Sequence, residues 1–467
     1  MTPGARLQSA IELLTAIDQT RSAADDIVGG YFRSHRFVGS KDRAAISEHI
    51  YAVLRRRGEL DWWIRREGAG LPCDARTRLI AAVILVEGWR TDAVYRACDG
   101  DQFRPDPLSQ DEGRLLDRLA RVELSHPEMP APVRGNFQDW LEPHLRASFG
   151  ADLAAEAAAL NGSAPLDLRV NALKSNRADA RAALAAEGIE ALPTPLAPTG
   201  LRVYKRIPLS SLEVFKSGRI EVQDEGSQLA ALLACARSGM RVVDFCAGAG
   251  GKTLALAAAM GNKGQLIACD ISAKRLERSA QRLRRAGVSN VERRALSSER
   301  DKWVKHHAES FDRVFVDAPC TGTGTWRRNP DAKWRLTPND LVELTVLQAS
   351  ILDSAQRLVK PGGRLIYATC SVLAPENDEQ IVRFLETHPA FRLVPIGEVW
   401  RAGLGFDCPV EGEMLHLTPA KHGTDGFFVA VMERTATAAD SAEPPRETPR
   451  DETPREGPPA AAVEDAA

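Results

Sequence analysis

A chain of 467 residues is longer than one hydrophobic core ordinarily fills, so about three domains are expected. Net charge is −2, but the segment from Thr435 onward holds eight acidic and three basic side chains, which leaves the remainder mildly basic at +3, a balance that permits nucleic-acid binding without proving it. The apolar run over residues 79–86, which none in the chain exceeds in length, ends at Glu87, far short of a membrane span; no signal peptide precedes the first charged residues, and eight cysteines without a C-x-x-C pair fit neither a zinc site nor a disulfide scaffold, which points to a reduced, cytoplasmic setting.

The first 135 residues read as helices. Ser40 is placed to cap one in which Ile46, Ile50, Val53 and Leu54 share a face and Arg55, Arg56 and Arg57 close the C-terminal end. A solvated helix end is the plain reading of those arginines; beside Arg36, Lys41 and Arg43 they would also suit RNA phosphate. Residues 136–226 form a small α+β module, with an alternating strand L-D-L-R-V from Leu166, an alanine-rich helix from Ala178 and short strands near Leu201. Residues 227–434 alternate strand and helix, with strands at 266–270, 291–295, 313–316, 364–369 and 427–432, and Thr337, Pro338 and Asp340 opening one helix. Repeated βα units imply an α/β fold with a doubly wound, mostly parallel sheet. Residues 435–467, rich in Pro and Glu and without aromatics, are expected to be disordered.

In such a sheet ligands bind at the carboxyl ends of the strands, and four ends are chemically marked. Asp244 opens D-F-C-A-G-A-G-G-K-T, a strand, glycine loop and helix start that matches neither the dinucleotide nor the P-loop pattern. Asp270 closes the next strand, placed to accept from a ribose diol or, like Ser272, to cap a helix. Asp317-Ala318-Pro319-Cys320 projects a carboxylate and a thiol from one proline-stiffened turn, and Cys370 closes a further strand in Y-A-T-C-S. Cys73, Cys98, Cys235 and Cys408 read as small hydrophobes. Trp326 and Trp334, interleaved with Arg327, Arg328, Lys333 and Arg335, suggest a face for bases and phosphates. The basic helix from Lys274, by contrast, reads as a solvated face around Leu276 and Leu283.

The motifs D-F-C-A-G-A-G-G-K-T, D-A-P-C-T-G-T-G and Y-A-T-C-S with P-E-N-D after it resemble the signatures of the Nop/Sun family of RNA cytosine-5 methyltransferases. L-R-V-N, Q-D-E-G-S and H-G-T-D-G-F-F are similar to its other landmarks, and S-K-D-R-A-A with the helices around it resembles the NusB-like domain of the bacterial Sun (RsmB) branch. The resemblance runs from about Tyr31 to Val431. It implies a Rossmann-like methyltransferase domain, an RNA-binding NusB-like domain over 1–135, and S-adenosylmethionine bound by Cys246, Ala247, Gly248, Ala249, Gly250, Gly251, Lys252, Asp270 and Asp317. The substrate it implies is RNA, ribosomal (16S) above all, handled by a cytoplasmic monomer without metal or membrane. Cys370 would add to cytosine C6, Cys320 would assist release, and Asp317 would hold the base edge; the target must be single-stranded or flipped out. Ala249 stands where the family commonly has proline, and the position where the family tends to place an acidic residue to touch adenine falls near Leu296 and Ser297, so no residue is assigned to that contact. An exocyclic amino methyltransferase, with a D-P-P-Y-like loop, and a non-catalytic RNA-binding assembly factor are the alternatives; Cys320 and the second thiol argue against the first, the intact Asp317, Cys320 and Cys370 set against the second.

Overall fold

The computed structural model describes residues 1–205 and 207–435, so the expected disordered tail, Thr435 apart, lies outside the described residues. Helices come first: α1 (Pro3–Asp18), α2 (Ala24–Ser34), α3 (Ser40–Glu67), α4 (Ala75–Leu85), α5 (Thr91–Ala97), α6 (Gln110–Leu119), α7 (Ala131–Gly135), α8 (Glu142–Phe149) and α9 (Leu153–Asn161). Ile46, Ile50, Val53 and Leu54 of α3 are buried against α1 and α4 as their spacing predicts. Two expectations fail in this helix. Ser40 is its first residue, with Gly39 at the cap position and no side-chain bond there. The helix also does not stop at Arg55–Arg57: Leu60, Trp63 and Ile64 continue the buried face, carry it to Glu67, and leave the last-turn positions to Arg65 and Arg66. The three arginines are engaged within the protein: Arg56 with Glu59 at 3.3 Å, Arg57 with Asp18 at 2.9 Å, and Arg55 with the carbonyls of Gly162 and Arg327 at 2.7 and 2.9 Å.

A small antiparallel sheet follows, built from β1 (Leu166–Val170), β2 (Leu192–Pro193), β3 (Gly200–Val203) and β4 (Ile220–Val222) in the order β2-β3-β1-β4, with α10 (Arg177–Ala186) and α11 (Glu213–Lys216) between strands. The expected alternation of β1 is not seen in its burial, because Asp167 lies directly opposite Arg202 and forms a two-pronged ion pair with it at 2.7 and 2.8 Å. Charge pairing lets this face be buried as completely as the apolar one.

The large sheet has the order β10-β12-β9-β8-β5-β6-β7, with β11 paired to β12. Its strands are β5 (Arg241–Asp244), β6 (Gln265–Asp270), β7 (Val291–Ala295), β8 (Phe311–Asp317), β9 (Val359–Thr369), β10 (Phe391–Leu393), β11 (Leu415–Leu417) and β12 (Phe427–Arg434). The five strands β7, β6, β5, β8 and β9 run parallel and β12 antiparallel to β9. Helices α12 (Glu225–Leu232), α13 (Gly251–Ala259), α14 (Ala273–Ala286), α15 (Lys302–His306), α16 (Ala332–Arg335), α17 (Pro338–Ala355), α18 (Asp378–Thr387), α19 (Ile396–Leu404) and α20 (Pro419–His422) join them. Val242, Phe315 and Ile366 pack on one face and Val243, Val314 and Leu365 on the other. Central strands buried on both faces therefore read as continuous apolar runs. The start of α17 is set as expected, by a capping box between Thr337 and Asp340 with Pro338 in the first turn. Among the described residues no helix is long and apolar enough to cross a membrane.

Candidate active site

From β5 the chain builds β6 and β7 on one side, then returns to lay β8 and β9 on the other. The crevice of a doubly wound sheet lies at this reversal, outside the carboxyl ends of the strands, and a cavity of about 750 Å³ opens there. Cys246, Ala247, Gly248, Ala249, Gly251 and Lys252 line it. Gly250 does not; it turns the chain into α13 with φ +80°, and a Cβ there would lie 2.8 Å from that of Ser279. Glycine is needed at that position for both reasons. Two arginines hold the loop from behind: Arg282 donates to the carbonyl of Ala249 and Arg169 to that of Gly251, each at 2.8 Å. Arg169 belongs to β1, and Arg282 pairs with Glu221 of β4 at 3.4 Å, so the small sheet braces the glycine loop.

Asp270 accepts from the backbone N–H of Gly248 at 2.8 Å and of Ser272 at 2.7 Å. Ser272 is the cap of α14, its side chain accepting from Arg275 N, which leaves Asp270 as a wall of the cavity. Beyond it the lining combines the apolar Ile271, Leu296, Leu347 and Ile351 with the charged Arg275 and Glu299. Ser297 is turned away, bonding Asp301 through its N–H and hydroxyl at 2.8 and 2.7 Å.

At the other end, Lys252 Nζ donates to Asp317 Oδ2 at 2.6 Å and lies 5.0 Å from the Phe427 ring centroid. Burial works against this ammonium, but the Asp317 carboxylate more than offsets it and holds the lysine pKa above its ordinary value. Strand register puts Asp317 beside Ala368, and the loops that follow are joined by Gly324 N–H to the Cys370 carbonyl at 2.9 Å. A Cβ on Gly324 would meet the Gly426 carbonyl at 2.2 Å, so no other residue fits this approach. The two thiols meet at 3.4 Å, Sγ to Sγ. Cys320 is pushed well above the usual thiol range, first by its hydrogen bond with Cys370 and then by burial. Cys246 is also pushed up, by burial and the carboxylates Asp244, Asp317 and Asp270 around it. Asp244 lies beneath the loop, accepts from the Thr253 hydroxyl at 2.6 Å, and is raised by burial to about 7.

The expected base-and-phosphate face of residues 326–335 is overturned. Trp326 is buried among Phe137, Leu141, Leu145 and Leu373. Trp334 donates to the carbonyl of Leu54 at 2.8 Å, and Lys333, fully buried, donates to Asn161 Oδ1 and the Arg55 carbonyl. Arg327 and Arg328 both pair with Asp224 and Asp425, Arg328 at 2.9 and 2.6 Å, and Arg335 pairs with Asp331 at 2.7 Å. Every cation here has an acceptor inside the protein, and the segment ties the leading helices to the large sheet. Asp224, Arg328 and Asp425 also border the cavity. Of these, the sequence marks Arg328 only as part of the base-and-phosphate face, and gives Asp224 and Asp425 no role although Q-D-E-G-S and H-G-T-D-G carry them. On α14, Leu276 and Leu283 are buried as expected, while Arg285 pairs with Glu221 at 2.6 Å.

A parallel-rich sheet closed by an antiparallel strand, with a glycine loop at its reversal point, defines a Rossmann-like methyltransferase domain. Residues 230–433 match the model of the 16S rRNA methyltransferase RsmB/F family, and residues 137–210 that of the ferredoxin-like domain of RsmF/B-like methyltransferases. A relative from Synechocystis sp. is 31% identical over 451 residues, 91% of this chain and 99% of its own. Ribosomal RNA small subunit methyltransferase B of Citrobacter koseri is 30% identical over 406 residues, 85% of this chain and 91% of its own. The crystal structure of PH0851 superposes with a TM-score of 0.75 at 27% identity, covering 93% of this chain and 99% of that one. The chain belongs to the RsmB/F family of rRNA methyltransferases.

Proposed function

We propose that this protein transfers a methyl group from S-adenosylmethionine to C5 of a cytosine in 16S ribosomal RNA, through a covalent adduct of Cys370 at C6. The observation that carries this reading is the meeting of two thiols at 3.4 Å at the end of a cavity that also holds an aspartate–lysine pair at 2.6 Å. The cavity suits the cofactor: a buried carboxylate, Asp270, can accept from a ribose diol, apolar walls at Ile271 and Leu296 can take a flat base, and the glycine loop admits close approach. When bound, S-adenosylmethionine supplies an electrophilic methyl group.

Cytosine C5 is a weak nucleophile until a thiolate adds to C6. Cys370 forms that C6–S bond, the C5=C6 electrons becoming available at C5, while the carboxylate of Asp317 and the ammonium of Lys252 hold the polar edge of the ring and balance the charge that develops on it. Cys320 first gives up its own thiol proton to solvent; after transfer its thiolate takes the proton on C5, the C5–H bonding pair restores C5=C6, and the C6–S pair returns to Cys370 as its thiolate. A base within a helix is out of reach, so the target enters unstacked, at a cost of a few kcal/mol.

Sequencing 5-methylcytosine in 16S RNA from cells with and without this protein tests the reading: one or a few cytosines should lose the mark. Methyl groups found on an exocyclic nitrogen instead would end it. Asp270→Ala should weaken S-adenosylmethionine binding about 10- to 100-fold, because the diol loses its acceptor and the Gly248 N–H its partner. Calorimetric titration measures this, and unchanged affinity would remove Asp270 from the cofactor site.

A further inference from the structure

Behind the two thiols lies a carboxylate that the reaction described above does not use. Glu376 is fully buried and has no ion pair among the described residues. It accepts from the Thr321 N–H at 2.8 Å, from the Thr321 hydroxyl, and from Gln348 Nε2 at 3.0 Å. The same Gln348 nitrogen donates to the carbonyl of Pro319 at 2.9 Å. Cys320 is therefore bracketed: the residue after it is held by Glu376 directly, the residue before it through Gln348. Thr321 and Thr323 also reach Ser371, next to Cys370, at 3.3 and 3.0 Å, so the bracket fixes one thiol against the strand end that carries the other. A buried carboxylate that serves only packing is costly, and neutral groups would bind the same donors at less expense.

We propose that Glu376 is a positioning residue for product release, holding Cys320 where it takes the C5 proton. This rests on the proposed role of Cys320. Release breaks the C5–H bond in favour of the sulfur of Cys320, and a sulfur displaced by an ångström misses that proton. The carboxylate also acts through its charge. The titratable groups facing Cys320 are Cys370, Glu376 and Tyr367; in the adduct Cys370 is an uncharged thioether, which leaves Glu376 to raise the proton affinity of the Cys320 sulfur, so that once Cys320 has lost its own proton to solvent its thiolate takes the one on C5.

The test compares Glu376→Gln, Thr321→Val and Cys320→Ala in the full chain. The covalent RNA adduct is read on denaturing gels, and the alkylation of Cys320 by iodoacetamide is followed against pH in the free protein. Glu376→Gln should accumulate adduct at least 10-fold over the parent and move the alkylation midpoint of Cys320 to lower pH. Thr321→Val, which keeps the charge, should trap adduct more weakly without moving the midpoint, and it decides the matter if Glu376→Gln does not fold. Release at the parent rate by Glu376→Gln, or by Thr321→Val in that case, while Cys320→Ala traps adduct, overturns the proposal. If Cys320→Ala holds no adduct, the reading of Cys320 itself is wrong; an unmoved midpoint in Glu376→Gln then also overturns the role of Glu376.

Discussion

Cys370→Ala is expected to abolish methyl transfer and every covalent RNA adduct, whereas Cys320→Ala is expected to form the adduct and keep it, as a shifted band that survives denaturation. The asymmetry follows from the geometry. The sulfurs are 3.4 Å apart, close enough for one base to meet both, but the hydrogen bond with Cys370 and burial make Cys320 reluctant to ionise, which makes it a poor resting nucleophile and, once its own proton has gone to solvent, a strong base for the C5 proton. Loss of a nucleophile removes the covalent route, at least about 10³-fold in kcat. Cys320→Ala should lose turnover yet retain a single methyl transfer. An adduct from Cys370→Ala alone would reverse the roles, making the thiol of the proline-stiffened loop the nucleophile.

The second large effect is expected at Asp317. Asp317→Asn keeps the size of the side chain but removes the charge opposite Lys252, whose ammonium is buried and now meets only an amide. Burial would then be opposed by Asp244 and Cys370 without the contacting carboxylate, which lowers the lysine pKa, and kcat should fall about 10²- to 10³-fold as the charge aimed at the base edge is lost. Removing one partner of a buried pair costs about 3–5 kcal/mol; because the Asp317 side chain is 31% exposed, about 1–3 kcal/mol is expected after screening. The Asp317→Asn/Lys252→Met double variant should recover melting temperature without recovering turnover. Recovery of turnover would show that the pair serves only the fold.

The chemistry-bearing strand ends were legible in the sequence because each is a local pattern: an apolar run, then a glycine loop, an aspartate or a thiol. A parallel sheet buried on both faces makes such runs plain, and the Thr337–Asp340 cap was legible for the same local reason. What was not legible depends on distant partners. Trp334 and Lys333 look like an RNA surface until Leu54, Arg55 and Asn161 are seen beside them. The alternation of β1 fails because Arg202 neutralises Asp167 across the sheet. The end of α3 was misplaced because three arginines suggest a terminus, while Leu60, Trp63 and Ile64 outweigh them. Glu376 sat within a quoted motif, P-E-N-D, but a carboxylate beside a proline has no visible role until Thr321 and Gln348 converge on it.

The fastening of the leading helices to the large sheet by residues 326–336 also sets an order of events during synthesis. Ala24, Leu54, Arg55 and Asn161 leave the ribosome long before the side chains that grip them, Asp331, Trp334 and Lys333. At about 5–20 residues per second, the roughly 175 residues between Asn161 and the end of that segment take about 9–35 s to appear. For that interval the nascent helical part stands on its own core, with those groups in water, and a chain halted short of residue 326 lacks the side chains that seat it.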